Sequence, residues 1–227
     1  MLPFRDDVPT RSFPLVTVSL IAANFAVWIW ELGARAGRIG HYAYYPCAVQ
    51  GPCAGVARDH LPAVEGAVTS MFMHGSWVHI LGNMLFLWIF GNNVEDVMGR
   101  ARFLVFYLAG GLVATASQTF VTLHYAGVGA ASIPNVGASG AIAAVLGAYF
   151  VILPWARVWT LVGFFPLPIP AVFFLGFWFV FQLLAGNGSL THPERGGGVA
   201  FFAHIGGFVF GFLAVRAFAI RRPLRAR

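Results

Sequence analysis

The stretch Phe103–Ala156, FLVFYLAGGLVATASQTFVTLHYAGVGAASIPNVGASGAIAAVLGAYFVILPWA, contains no Asp, Glu, Lys or Arg. It is too long for one helix across a hydrocarbon core of about 30 Å. A cluster of Gly, Ser132, Pro134 and Asn135 between Gly127 and Gly137 divides it. The reading is two membrane-crossing helices, about 103–125 and 138–154, joined by a polar loop.

The rest of the chain repeats that pattern in both directions. Uncharged runs at about 12–31, 77–93, 168–185 and 199–218 bring the predicted spans to six. The whole chain, 1–227, is expected to form a single domain: an all-α, polytopic bundle of six transmembrane helices. Composition agrees, since 59% of the residues are hydrophobic and only 10% are charged. Too few charges remain to cover a water-facing surface, so a lipid bilayer must be the solvent for most of the chain. The run from Ser12 to Trp30 is too long for a secretory h-region and has no clear cleavage site, so it reads as an uncleaved first span. Pro154, Trp155, Arg157 and Trp159 resemble an interfacial turn with aromatic anchors.

The net charge of +6 comes from arginine without lysine. These arginines lie between the apolar runs and at the C-terminus, not in a patch suited to nucleic acid, so no nucleic-acid partner is expected. With the N-terminus inside, the inner segments hold Arg5, Arg11, Arg100, Arg102, Arg157, Arg216, Arg221, Arg222, Arg225 and Arg227. The outer ones hold Arg35, Arg38, Arg58 and Arg195. That bias predicts both termini in the cytoplasm; the expected location is a bacterial inner, or plasma, membrane. No internal repeat points to a transporter. Cys47 and Cys53 share one polar loop; their spacing allows a disulfide without demanding it.

Polar side chains inside a membrane are costly and mark function. His79 and Asn83 are four residues apart and share a helix face, with His74 just before them. Ser139 lies between Ala138 and Gly140, after Gly137, at a loop-to-helix junction where the helix dipole favours negative charge. His204, Gly207 and Gly211 share a face of the last span, and the glycines permit close approach of another backbone. Ser139, Ala143 and Gly147 offer a matching stripe, and packing the two would bring His204 to Ser139. Each residue alone also fits a packing or interhelical bonding role. Together they supply a nucleophile, a base and oxyanion donors. No carboxylate falls within the predicted spans to act as a third, acidic member.

His74-x4-His79-x3-Asn83, Gly137-Ala-Ser139-Gly140 and Ala203-His204-Ile-Gly-Gly207 resemble the rhomboid proteases in order and spacing. The resemblance runs from about Val68 to Phe218 and includes Gly91 and Glu95-x3-Gly99. It implies a six-helix intramembrane serine endopeptidase that cuts transmembrane segments of other membrane proteins. By that likeness Ser139 is the nucleophile, His204 the general base, and His79 and Asn83 the oxyanion-hole side chains. His74, Gly137, Gly140, Gly207 and Gly211 are supporting residues, and no cofactor is implied. Many rhomboids carry a Trp-Arg pair in the first loop; here Glu65-Gly66-Ala67-Val68-Thr69 stands instead, which leaves the anchoring of that loop open.

Two other classes are weighed. A non-catalytic rhomboid-like protein that binds transmembrane helices would be expected to lack Ser139 or His204. A metal or proton conduit on His74, His79 and His204 would need further ligands, and no carboxylate or thiol joins them in the predicted spans, so no metal is expected. The Gly186–Gly198 loop, with the fifth span, is the expected gate for substrate.

Overall fold

The computed structural model describes residues 1–34, 36–51, 53, 56, 60–126, 128–191 and 199–224. In chain order the elements are β1 (Leu2–Asp6), α1 (Leu15–Gly33), α2 (Ala36–Tyr42), a 3₁₀ turn (Pro46–Val49), α3 (Ala63–Thr69), a second 3₁₀ turn (Ser70–Phe72) and α4 (Trp77–Met98). They continue with α5 (Arg100–Tyr125), α6 (Val128–Ala131), α7 (Ser139–Ile152), β2 (Arg157–Val162), β3 (Phe165–Pro170), α8 (Ala171–Thr191) and α9 (Phe201–Phe218). The described residues include six long helices, α1, α4, α5, α7, α8 and α9, which overlap the six apolar runs. Helices α1, α5, α8 and α9 are long and apolar enough to cross a membrane. Their exposed side chains include Ile29, Val105, Phe120, Phe177, Leu184 and Leu213, which suits lipid as the solvent. The fold is a polytopic membrane bundle.

Helix α7 is the centre of the bundle: every residue from Gly140 to Tyr149 is buried. Its 14 residues extend about 21 Å at 1.5 Å per residue. That is less than the roughly 30 Å of a hydrocarbon core, so its two ends cannot both reach the membrane surfaces. Helix α9 lies against it without side chains between them. A Cβ on Gly207 would strike the carbonyl oxygen of Gly140, and one on Gly211 that of Ala144. The two small-residue stripes therefore pack backbone to backbone, as their spacing predicts.

Boundaries differ from expectation at three places. Helix α4 continues to Met98, past the expected end at 93, and the turn to α5 is Gly99 at φ 75°. Glu95 is inside the helix because its carboxylate accepts the N–H groups of Val16 and Thr17 and the Thr17 hydroxyl. Those are unpaired donors of the first turn of α1, so Glu95 caps that helix from a neighbour. The expected interfacial turn after α7 is a β-hairpin. Strands β2 and β3 pair antiparallel, β1 pairs antiparallel with β2, and the order is β1-β2-β3. Pro166, Pro168 and Pro170 oppose Leu161, Trp159 and Arg157. This edge strand tolerates them because their missing N–H groups face away from β2. Finally, α8 starts at Ala171, after β3, and runs to Thr191. Residues 186–191 of the expected gate loop are thus helical, and 192–198 lie outside the described residues.

The first loop is held without a Trp-Arg pair. Tyr44 is buried and its hydroxyl lies 2.7 Å from Thr119 Oγ1 on α5. Tyr44 and Asn135 exchange backbone hydrogen bonds, and Gly137 N–H donates to Ser70 O at 2.8 Å. The loop is therefore tied to the segment that leads into Ser139. Cys47 and Cys53 form a disulfide within it, with Cα atoms 5.3 Å apart.

Candidate active site

Ser139 is the first residue of α7 and follows Gly137, whose φ is 127°. That backbone conformation suits glycine alone. Space imposes the same choice, since a Cβ there would lie 2.8 Å from His79 Nε2. No side chain caps the N-terminus of α7, so the first-turn N–H groups, Ser139 N–H among them, are donors at the positive end of the helix dipole.

His204 lies in the first turn of α9. The cap position, Ala200, offers no side-chain acceptor. Gln118, reaching across from α5, takes that role: its Oε1 accepts the N–H groups of Phe202 (3.1 Å) and Ala203 (3.2 Å). The start of α9 is thereby fixed against α5. His204 Nε2 is 2.8 Å from Ser139 Oγ, and His204 Nδ1 is 2.9 Å from Gln182 Oε1 on α8. The Trp178 ring is tilted by 38° to the imidazole, with centroids 5.9 Å apart.

His79 and Asn83 line the same cavity as Ser139 and His204. It has a volume of about 250 Å³ and is also lined by Val78 and Phe86 of α4 and Trp178 of α8. Ser76 caps α4, accepting the His79 N–H at 3.1 Å. His79 Nδ1 accepts the Gly75 N–H at 3.4 Å, which leaves the proton of a neutral ring on Nε2, the nitrogen beside Gly137. Asn83 Nδ2 donates to His74 Nε2 at 3.0 Å. An amide nitrogen has two hydrogens, so one remains for a ligand. Oriented donors thus share a cavity with an O–H and an acceptor nitrogen, an arrangement suited to acyl transfer.

Of the predicted residues, Ser139, His204, His79 and Asn83 meet at this cavity. His74 stands behind Asn83. Gly137 lies beneath His79, and Gly140 and Gly207 form the crossing of α7 and α9. Gly211 packs against Ala144, one turn further from the dyad. The sequence reading left out Gln118, Gln182 and Glu31. Glu31 corrects the statement that no carboxylate lies within the spans: it is inside α1, buried, and its two oxygens accept the His74 N–H at 3.1 and 3.3 Å. It supports His74, and among the described residues its side-chain hydrogen-bond partner is His74 rather than His204. All three were visible as polar residues on helices that are otherwise mostly apolar.

A family model described as Rhomboid domain matches residues 63–221. The chain belongs to the rhomboid family. Ser139, His204, His79 and Asn83 all fall within the matched range. Among similar proteins is Presenilin-associated rhomboid-like protein A, mitochondrial, of Danio rerio, 34% identical over 152 residues, 63% of this chain and 35% of that protein. Rhomboid protein 1, mitochondrial, of Saccharomyces cerevisiae is 27% identical over 158 residues, 69% of this chain and 42% of that protein. RHOMBOID-like protein 12, mitochondrial, of Arabidopsis thaliana is 31% identical over 173 residues, 70% of this chain and 46% of that protein. The chain thus spans less than half the length of each of these rhomboid relatives.

Proposed function

We propose that this integral membrane protein is a serine endopeptidase that cleaves transmembrane segments of other membrane proteins. The observation that carries the proposal is the 2.8 Å contact between Ser139 Oγ and His204 Nε2, in a cavity shared with His79 and Asn83. In the proposed cycle, Ser139 Oγ attacks the scissile carbonyl carbon while its proton passes to His204 Nε2. The carbonyl π electrons move onto oxygen, where Ser139 N–H, His79 Nε2–H and Asn83 Nδ2–H stabilise the charge, by about 3–4 kcal/mol per donor. Collapse breaks the C–N bond, and His204 returns the proton to the leaving amine. Water then hydrolyses the acyl ester by the same route.

The six long helices are proposed as the spans of one domain, with both termini on the arginine-rich side. The relatives named above are mitochondrial, so they lend no weight to the bacterial inner membrane expected from the sequence; the side assignment rests on arginine alone. A substrate helix must unwind before its carbonyls are reachable, because helical carbonyls are already paired. Substrates with helix-weakening residues at the cut site are therefore expected.

The test is cleavage of a model transmembrane substrate by purified protein in liposomes, for wild type, Ser139→Ala and His204→Ala. Wild type is expected to cut and both variants to fail while folded. Equal cutting by all three proteins refutes the assignment. If none cuts, labelling of Ser139 by a fluorophosphonate decides: no labelling of wild type refutes it as well.

A further inference from the structure

The dyad reading leaves one nitrogen of His204 unexplained. A neutral imidazole is a base at Nε2 only when its proton is on Nδ1. An imidazole free to exchange tautomers, or to rotate, would present the wrong nitrogen to Ser139 for part of the time. Many serine hydrolases hold the ring with a buried carboxylate, and the wrong tautomer is severely costly to them. Among the described residues no carboxylate contacts His204. Its Nδ1 faces the Gln182 side chain at 2.9 Å.

Gln182 is 5% exposed on a helix whose neighbouring side chains Phe181, Leu183 and Leu184 all face outward. Burying a primary amide in such a helix is unfavourable unless it is hydrogen-bonded. Its carbonyl oxygen accepts but cannot donate. Paired with Nδ1, it requires Nδ1–H, which leaves the Nε2 lone pair for the Ser139 hydroxyl. Gln182 is neutral, so it orients the ring without adding the charge of a carboxylate. It belongs to α8, which also supplies Trp178 to the wall of the cavity.

We infer that Gln182 is a positioning residue: its Oε1 fixes His204 as the Nδ1–H tautomer and aims Nε2 at Ser139. This rests on the dyad reading for its catalytic consequence, but the tautomer itself is observable without any substrate. The orienting group comes from α8, so displacement of α8 would break the alignment of the dyad as it opened the cavity.

The experiment uses the full chain in detergent micelles with ¹⁵N-labelled histidine, for wild type, Gln182→Met and Gln182→Glu. Methionine keeps length and shape without the oxygen acceptor; glutamate keeps the acceptor. Two readouts are taken: the His204 ring-nitrogen shifts, and the rate of Ser139 labelling by a fluorophosphonate as a function of pH. Wild type is expected to show protonated Nδ1 and unprotonated Nε2. Gln182→Met should show mixed tautomers and label about 10- to 100-fold more slowly, the scale of a misplaced catalytic group. Gln182→Glu should restore Nδ1–H and shift the acid limb of the labelling profile to higher pH, because a carboxylate beside Nδ1 favours the imidazolium. A purely structural role would move neither the tautomer nor that limb. The inference is overturned if His204 is Nδ1–H in Gln182→Met, whether or not labelling falls, or if Gln182→Glu behaves as Gln182→Met does. Should wild type fail to label yet show the Nδ1–H tautomer lost in Gln182→Met, the dyad reading fails while the positioning contact stands.

Discussion

Substituting Gly207 by alanine tests whether the catalytic contact depends on the approach of two backbones. The added Cβ would strike the Gly140 carbonyl oxygen and lie 3.2 Å from both the Gly140 carbonyl carbon and the Ala143 Cβ. Carbon atoms pack at about 3.5–4.0 Å, and the obstruction is backbone, which cannot swing aside. Helix α9 must therefore move from α7 by about 1 Å. Overpacking of this kind costs about 1–3 kcal/mol of stability. The same movement carries His204, one turn away, from the 2.8 Å at which it meets Ser139 to beyond hydrogen-bonding range. A displacement of about 1 Å at a catalytic pair costs on the order of 100-fold in rate. The assay is the rate of fluorophosphonate labelling of Ser139 in detergent, with thermal unfolding measured on the same samples. Gly211→Ala is the control. Its Cβ meets the Ala144 carbonyl oxygen, so its stability loss should be similar, but the clash is one turn further from His204 and labelling should suffer less. Labelling of Gly207→Ala at the wild-type rate would refute the reasoning, since α7 and α9 could then separate without disturbing the dyad.

Asp6 provides a pH test at the other end of the bundle. Its carboxylate accepts hydrogen bonds from Tyr149 Oη and Asn93 Nδ2, both at 2.6 Å. Burial nevertheless pushes its pKa up to about 6, from an ordinary value of 3.8. A raised carboxyl pKa means that the folded state binds the proton more tightly than the unfolded chain. Its stabilising contribution is therefore full below about pH 4 and is lost as pH rises to about 6, by at most about 3 kcal/mol. Asp6→Asn should flatten the difference in unfolding free energy across that window, and parallel curves for the two proteins would refute the assignment. Helix α8 should exchange its amide hydrogens faster around Gln182 than α7 does around Ala144, measured by mass spectrometry in micelles; equal protection would count against α8 as the gate.

The features most legible in the sequence were those with a helical period. The four-residue step from His79 to Asn83 and the stripe His204, Gly207, Gly211 specify faces, and the structure places those faces at one cavity and one helix crossing. Gln182 and Gln118 were harder to read, because nothing in the local sequence marks what they bond; Gln118 also donates to Thr122 on its own helix at 3.0 Å. Their partners at the site, His204 and the first turn of α9, are distant in sequence. The hairpin was obscured for another reason. Arg157–Val162 alternates in burial but not in polarity, and Pro166, Pro168 and Pro170 argue against a partner strand unless that strand is an edge with its N–H positions facing outward. Glu95 and Asp96 lie beyond the expected end of the second span at 93. Capping of α1 by Glu95 and pairing of Arg11 with Asp96 make them interior residues.

The polar side chains divide the bundle into two ends with different stability. Opposite the dyad, Asp6 ties β1 to both α4 and α7, Glu95 holds the start of α1, and Asp96 binds Arg11. These contacts fix the far ends of α4 and α7, the two helices that bring His79, Asn83 and Ser139 to the cavity. Helix α8 has a different distribution. Near β3 it buries Ala171, Phe174 and Leu175, whereas towards the dyad Trp178 and Phe179 are only partly buried, against Phe208, and Gln182 and Gly186 are its buried residues. Local opening favours the segment with the fewest buried apolar contacts, so the end of α8 beside the dyad is the place where the bundle opens at least cost. Gln182 lies in that segment and holds His204. On the proposed function, the same helix would admit the substrate and orient the base. An open cavity would then be a poorly aligned one, and closure of α8 would couple binding to the proposed reaction.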